Sequence, residues 1–258
     1  MARALLLAAA SAALLAAPPA LAATPAPHVA TIALDGSDVR VLSGSEPASA
    51  PRFARDGHIL FFRPGSAFRW DLWGMDADGS RPRRLAEGPE GYGPIAWSPT
   101  GAAFATTEWD PSPCSYDSRN CAIAEIRVHD PASGETRARL RSRFRGAYAY
   151  SWSPDGRRIA SLGELDQDLS AYTVEVASAN GTGRRVLVRT RFPNFLGQIA
   201  WSPRGDRIAY VQRGWIGFVR PTGGRPERVT KGRQLLWSPR GRLLYSVGGA
   251  RRLLDPAT

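Results

Sequence analysis

The amino-acid sequence predicts an all-β protein, a single β-propeller of four-stranded antiparallel blades. Three observations predict this fold. One hairpin motif recurs five times, its copies are spaced by about the length of a four-stranded blade, and no segment beyond residue 22 shows a sustained apolar period of about 3.6 residues. We expect five blades, with an N-terminal outer strand that completes the last blade and closes the ring.

The first 22 residues predict a cleaved signal peptide. Arg3 is their only charged residue, a largely apolar run covers residues 4–17, and Ala20-Leu21-Ala22 offers small residues at the two positions that a signal peptidase reads. A membrane anchor is the alternative, but Pro18-Pro19 interrupts a run that is shorter than the ~20 residues of a spanning helix.

Residues 23–258 are therefore expected to form one exported propeller domain, periplasmic or extracellular, with no membrane span once residues 1–22 are removed.

Each copy of the motif predicts a tight turn between two short, half-buried strands. In Trp152-Ser153-Pro154-Asp155-Gly156 the proline supplies a fixed φ, the serine can bond the backbone, and the glycine relaxes the last turn position. The aromatic anchors, separated by 44, 55, 49 and 36 residues, are Phe53, Trp97, Trp152, Trp201 and Trp237. The turn glycines are Gly57, Gly101, Gly156, Gly205 and Gly241.

The anchors are expected to pack between neighbouring blades, and a ring of exposed tryptophans for ligand stacking is the alternative. A second unit, of strand, turn and strand, follows several hairpins. Residues 72–85 form one copy, with its turn at Asp78-Gly79, and comparable turns lie at Asn180-Gly181 and Gly223-Gly224. A complete repeat therefore contains four strands.

These residues resemble the TolB-type, WD-like propeller repeat of bacterial envelope proteins, whose blades read as a W-S-P-D-G hairpin, an M-D-A-D-G-S turn and an R-R-L strand. The full pattern is clearest from Phe53 to Leu85, and its hairpin half extends to Tyr245. The resemblance implies the fold, whereas such repeats serve partner-binding proteins, solute sensors and peptidases alike. TolB proper has six blades behind an α/β domain, and we expect this chain to lack that domain.

Cys114 and Cys121 are the only cysteines. In an oxidising compartment a pair at this spacing predicts a local disulfide that pins a protruding loop. Two free thiols, or half of a metal site, are the alternatives.

Two sets of residues are candidates for partner or ligand contact. Alternating arginines predict a charged stripe on the outermost strand of a blade, where charge opposes edge-to-edge pairing, and an anion-binding stripe is the alternative. Aromatics in the connections that precede the first strand of a blade suit protein or sugar recognition, and packing beneath those loops explains them as well. The arginines are Arg137, Arg139, Arg141, Arg143 and Arg145, and the aromatics are Tyr92, Tyr148, Phe192 and Phe195.

The sequence offers little for catalysis. Glu164, Asp166 and Asp168 share one loop and could supply the paired carboxylates of a glycosidase, but a solvated loop or an incidental cation site is the favoured interpretation. The three histidines, His28, His58 and His129, are scattered at predicted strand ends and are expected to be solvated. No nucleophile elbow, phosphate loop or zinc motif is present, so we expect no cofactor and no enzyme activity.

The net charge of +11 favours encounter with anionic polymers. We expect a monomeric scaffold that binds a protein partner in the envelope, and no nucleic-acid partner. Binding of a glycan or an anionic polymer is the alternative, and a five-bladed glycoside-processing enzyme ranks third.

Overall fold

The computed structural model describes residues 5–9, 28–33, 35, 37–54, 56–66, 69–87, 95–110, 123–144, 149–164, 171–191 and 196–256. Every regular element in these ranges is a β-strand, and none of the described residues forms a helix able to cross a membrane. The chain divides into two compact units, one of Met1–Gly91 with Ala132–Gly134, the other of Tyr92–Pro131 with Glu135–Thr258.

The first unit contains two antiparallel sheets. One has the order β1-β2-β3, with β1 (Leu5–Ala9), β2 (His28–Ile32) and β3 (Arg40–Val41). The other, blade 1, comprises β4 (Ser49–Phe53), β5 (Ile59–Pro64), β6 (Trp70–Met75) and β7 (Arg83–Ala86) in sequence order.

The N-terminal strands are paired within their own sheet. β2 pairs with β1 on one side and with β3 on the other. Completion of the last blade by an N-terminal strand therefore stays a prediction.

The second unit contains three four-stranded antiparallel sheets and one three-stranded sheet. Blade 2 comprises β8 (Ala96–Trp97), β9 (Phe104–Asp110), β10 (Ile123–His129) and β11 (Thr136–Phe144). Blade 3 comprises β12 (Ala149–Trp152), β13 (Arg158–Glu164), β14 (Ala171–Ser178) and β15 (Arg185–Arg191). Blade 4 comprises β16 (Leu196–Trp201), β17 (Ile208–Gln212), β18 (Trp215–Val219) and β19 (Glu227–Lys231). The last sheet has β20 (Arg233–Trp237), β21 (Leu243–Val247) and β22 (Ala250–Leu254).

The recurring turn is held by the residues of the motif itself. The Ser153 hydroxyl accepts a hydrogen bond from the Arg158 amide at 2.9 Å, and the Gly156 amide donates to the Ser153 carbonyl at 2.9 Å. Gly156 has a φ of +68°, a conformation that favours glycine. Hydrogen bonds from the Ser153 hydroxyl and the Arg157 amide lower the pKa of Asp155. The turn is thus a local structure, which explains why it is legible in the sequence.

Tryptophan anchors pack between consecutive sheets of the second unit. Trp152 is buried in a cluster with Ile126 of blade 2 and Ile159 of blade 3, and its Nε1 donates to the Ala96 carbonyl at 3.1 Å. Trp237 likewise donates to the Ala200 carbonyl at 3.1 Å. Each indole thus joins its own sheet to the preceding one through apolar burial and one hydrogen bond.

Candidate functional site

Most of the residues predicted from the sequence to contact a partner lie outside the described residues. For these the expectations from the sequence stay predictions. They are Tyr92, Tyr148, Phe192, Phe195, Arg145, Asp166, Asp168 and the predicted disulfide pair Cys114 and Cys121. Glu164 ends strand β13, and its side chain is also outside the description.

Four of the five arginines of the predicted stripe lie on β11, at the edge of blade 2: Arg137, Arg139, Arg141 and Arg143. Register shifts between Ala124 and Glu125 and between Val128 and His129 displace the strand against β10. Arg137 forms an ion pair with Asp130. The side chains of Arg141 and Arg143 lie outside the described residues, so a uniform row of cations stays a prediction.

One histidine differs from the expectation of solvated strand ends. His129 is only 3% exposed, its Nε2 lies 2.8 Å from the Thr106 hydroxyl, and its ring stacks on Phe104 at a centroid distance of 4.8 Å. A hydroxyl partner and an aromatic neighbour allow an imidazole to be buried, which the residue's position at a strand end did not reveal.

Buried carboxylates in blades 1 to 3 are each held by an arginine at or beside the fourth strand. Asp71 accepts from Arg84 Nε at 2.9 Å. Glu125 lies 3.5 Å from Arg139 and also pairs with Arg127 on its own strand at 3.1 Å.

The blade 3 pair has the strongest geometry. Glu175 is 2% exposed and accepts two hydrogen bonds from Arg184, of 2.6 and 2.8 Å, and a third from the Thr173 hydroxyl at 3.2 Å. The hydrogen bond to Glu175 raises the pKa of Arg184. These acids are fully engaged inside the sheets, so their chemistry is structural.

Blade 4 instead contains an open cavity of about 620 Å³. This volume lies in the range of small-molecule sites, roughly 300 to 1,000 Å³. Three of its eight lining residues are cationic and none is acidic. We call it the fourth-blade cavity, and it is lined by Tyr210, Gln212, Arg213, Gly214, Trp215, Gly217, Arg228 and Lys231.

Cross-strand register places the two cations of β19 over the Trp215 ring. Lys231 is the partner of Trp215, and Arg228 is the partner of Gly217 two residues further along. The Arg228 guanidinium carbon lies 3.5 Å from the Trp215 ring centroid, and Lys231 Nζ lies 5.5 Å from it. Cation–π attraction of this kind is worth about 0.5 to 1 kcal/mol at exposed sites and fixes the charges in place.

The wall of the cavity is shaped by the absence of a side chain at Gly217. A Cβ built on Gly217 would lie 2.6 Å from Tyr210 Cζ, so the phenol ring packs directly against the backbone of β18. Burial raises the pKa of Tyr210, which keeps this phenol protonated. Gln212, also in the lining, donates a hydrogen bond from its amide nitrogen to the Thr190 hydroxyl of blade 3 at 2.8 Å.

Sequence reasoning did not find this site. Arg228 and Lys231 are two cations among 34 Lys and Arg residues, and no motif marks them. The signal that could have found them is a break in the repeat, because the third strand of blade 4 lacks the acid that the third strands of blades 1 to 3 carry. Chemically, the cavity offers two positioned cations, an indole wall and neutral hydrogen-bonding groups, which suits an anionic ligand.

Comparisons with protein-family models and with curated protein sequences give no match. Solved structures do match. TolB from Acinetobacter baumannii aligns with a TM-score of 0.55 and 17% identity, over 90% of this chain and 60% of that one. A protein assigned as TolB from Agrobacterium tumefaciens aligns with a TM-score of 0.52 and 21% identity, over 81% of this chain and 73% of that one.

An enzyme has a similar fold. An oligogalacturonate lyase in complex with manganese aligns with a TM-score of 0.63 and 13% identity, over 85% of this chain and 64% of that one. The chain spans less than two thirds of the length of this enzyme and of the Acinetobacter protein. At these identities the likeness establishes the fold, and function has to be argued from the site.

Proposed function

Because this chain has the TolB-like β-propeller fold, we propose that it acts as an exported, non-catalytic binding scaffold of the cell envelope. The observation that carries the proposal is the fourth-blade cavity. Its lining combines Trp215 with the cations Arg228 and Lys231, which bind by stacking and charge. The buried carboxylates of the other blades are committed to arginine and serve the sheets.

The first candidate partner is an envelope protein with an acidic surface. A net charge of +11 steers an anionic partner toward the chain, and cations fixed on an aromatic ring provide the short-range contact. Such binding weakens with added salt, because screening acts on the exposed cations.

Partner capture tests this proposal. The mature chain, residues 23–258, is immobilised and exposed to an envelope extract beside a matched variant that carries Arg228→Ala and Lys231→Ala. We expect at least one protein to be retained by the unmodified chain, lost from the variant and released by salt. If neither chain retains any protein above background, the protein-scaffold proposal is wrong.

An anionic polysaccharide is the second candidate, favoured by two observations. The indole wall and the cations suit a charged sugar, and one structural neighbour is a lyase of oligogalacturonate, a polyanion. Retention of oligogalacturonate by the mature chain, with no protein captured, would favour this candidate. Turnover of the polymer would instead contradict the non-catalytic role.

Export has its own test. The mass of the protein recovered from an expressing cell is expected to correspond to a chain that begins after Ala22. Substitution of the small residue at the cleavage site, Ala22→Leu, is expected to leave the full-length chain. Recovery of uncleaved protein in the cytosol from the unmodified gene would contradict export.

A further inference from the structure

Blades 1 to 3 share a feature that blade 4 lacks, a buried carboxylate on one face of the third strand, at one of two positions. Both positions are counted from the second-strand residue that pairs with the aromatic anchor: Ile59 in blade 1, Phe104 in blade 2, Ile159 in blade 3 and Ile208 in blade 4. Residues two and four further along the second strand lie on the same face as this residue, because side chains alternate along a strand.

The buried acids are the third-strand residues that pair with the second-strand residues two or four along. Four residues along, Arg63 is paired with Asp71 in blade 1, and Glu108 is paired with Glu125 in blade 2. Two residues along, Ser161 is paired with Glu175 in blade 3. Each of the three blades therefore has a buried third-strand carboxylate on this face, within reach of an arginine at or beside the fourth strand.

Blade 4 has neither acid. The residue four along is Gln212, whose partner is Trp215, and the residue two along is Tyr210, whose partner is Gly217. The fourth strand nevertheless keeps its cations, since Lys231 is paired with Trp215 and Arg228 with Gly217. Among the four-stranded sheets of the described chain, blade 4 alone has the cations without a third-strand carboxylate, and Trp215 and Gly217, at the two acid positions, line the fourth-blade cavity.

We propose that the carboxylate of an acidic saccharide binds in the fourth-blade cavity and replaces the internal carboxylate that blades 1 to 3 provide. Arg228 and Lys231 bind the carboxylate, as Arg84 and Arg184 bind Asp71 and Glu175 in their own blades. This inference rests on the second candidate for the proposed function, an anionic polysaccharide, and states how its carboxylate is recognised.

Two features favour a sugar as the carrier of the carboxylate. Trp215 is only partly buried and lines the cavity, so the part of its indole that Arg228 does not cover can pack against the apolar face of a sugar ring. Gln212 and Tyr210 add neutral hydrogen-bonding groups in the same lining, which suit hydroxyl groups. An acidic peptide would use the cations equally but has less use for the aromatic wall.

The test adds an internal carboxylate to the cavity lining and leaves Trp215 in the sequence. Gln212→Glu is nearly isosteric and places this carboxylate on the second strand, opposite Trp215. Gln212→Met is the matched neutral control. Each mature chain is titrated calorimetrically with trigalacturonate, with the methyl ester of trigalacturonate and with a glutamate-rich peptide, and its melting temperature is recorded to establish that the variants are folded.

We expect the unmodified chain to bind trigalacturonate. The neutral methyl ester is expected to bind at least tenfold more weakly, because the loss of a charge-assisted hydrogen bond changes affinity by about this factor. Gln212→Glu is expected to weaken binding of the acid tenfold or more, and Gln212→Met only a few-fold. Equal binding of acid and ester, equal losses in both variants, or preference for the peptide would each overturn the saccharide proposal. Partner capture that depends on Arg228 and Lys231 would still uphold the general binding function.

Discussion

Arg184 clamps Glu175 with two hydrogen bonds, of 2.6 and 2.8 Å, inside a sheet where only 3% of the acid's side chain is exposed. Arg228, on the fourth strand of the next blade, has no acid at the corresponding position and lies on Trp215 instead. The arginines at or beside the fourth strand thus have different partners in the two blades. In blade 3 Arg184 pairs with a buried acid, and in blade 4 Arg228 lines an open cavity.

We expect the loss of the ion pair between Glu175 and Arg184 to lower the free energy of unfolding. Arg184→Ala would leave the buried carboxylate of Glu175 with the Thr173 hydrogen bond but without its ion-pair partner. Because 37% of the Arg184 side chain is exposed, water can replace part of the lost contact, and we expect a loss of about 1 to 3 kcal/mol. Denaturant unfolding measures the free energy. Arg207→Ala is the control, because its contact with Asp206 is 3.8 Å long and more exposed, and its loss is expected to stay below about 1 kcal/mol. Equal effects of the two substitutions would contradict the structural role of Glu175.

A side chain at position 217 is expected to clash with Tyr210, and removal of the Tyr210 ring is expected to relieve this clash. Gly217→Ala would place a Cβ 2.6 Å from Tyr210 Cζ, and overpacking of this kind costs about 1 to 3 kcal/mol. Combining it with Tyr210→Leu, which removes the phenol ring, is expected to cost less than the sum of the two single substitutions. A double-mutant cycle in denaturant measures this coupling. Strict additivity would mean that Tyr210 does not pack against Gly217 as described.

The lowered pKa of Asp155 predicts that the free energy of unfolding depends on pH. Hydrogen bonds from the Ser153 hydroxyl and the Arg157 amide lower its pKa below the ordinary 3.8 in the folded chain. Because the folded pKa is the lower one, the contribution of Asp155 is fully present above the unfolded pKa and is lost as pH falls through the folded pKa. We expect the stability advantage over Asp155→Asn to be constant near neutral pH and to shrink in acid. An advantage that grows as pH falls would be opposite in sign to this account.

The predicted disulfide between Cys114 and Cys121 implies that a reductant lowers the free energy of unfolding. If Cys114 and Cys121 form the local disulfide, the exported chain has no free thiol, and reduction lowers its free energy of unfolding by roughly 2 to 3 kcal/mol. Thiol titration under denaturing conditions and unfolding with and without reductant measure both quantities. Cys114→Ser with Cys121→Ser serves as the control, since reductant is expected to leave its stability unchanged. Two reactive thiols in the unreduced protein would disprove the bond.

The sequence was most informative where structure is local. The turn after Trp152 is closed by Ser153 and Gly156 within five residues, so its composition reveals it. Spacing of the anchors then predicted the sheets, and blades 1 to 4 each have the four strands in sequence order.

The cavity could not be predicted in this way because it depends on register. A shift between Ile216 and Gly217 sets Arg228 opposite Gly217, and only this pairing places its guanidinium on the Trp215 ring. The same limitation applies to the arginine stripe, since the sequence does not reveal the two register shifts between β10 and β11. Local composition predicts hairpins, whereas bulges and cross-strand neighbours determine which side chains meet.

A crystal structure of the mature chain with trigalacturonate tests the central claim most directly. The account predicts a uronate carboxylate within hydrogen-bonding distance of the Arg228 guanidinium, with Lys231 beside it and the sugar against Trp215. An empty fourth-blade cavity, with the saccharide bound elsewhere on the propeller, would contradict the account.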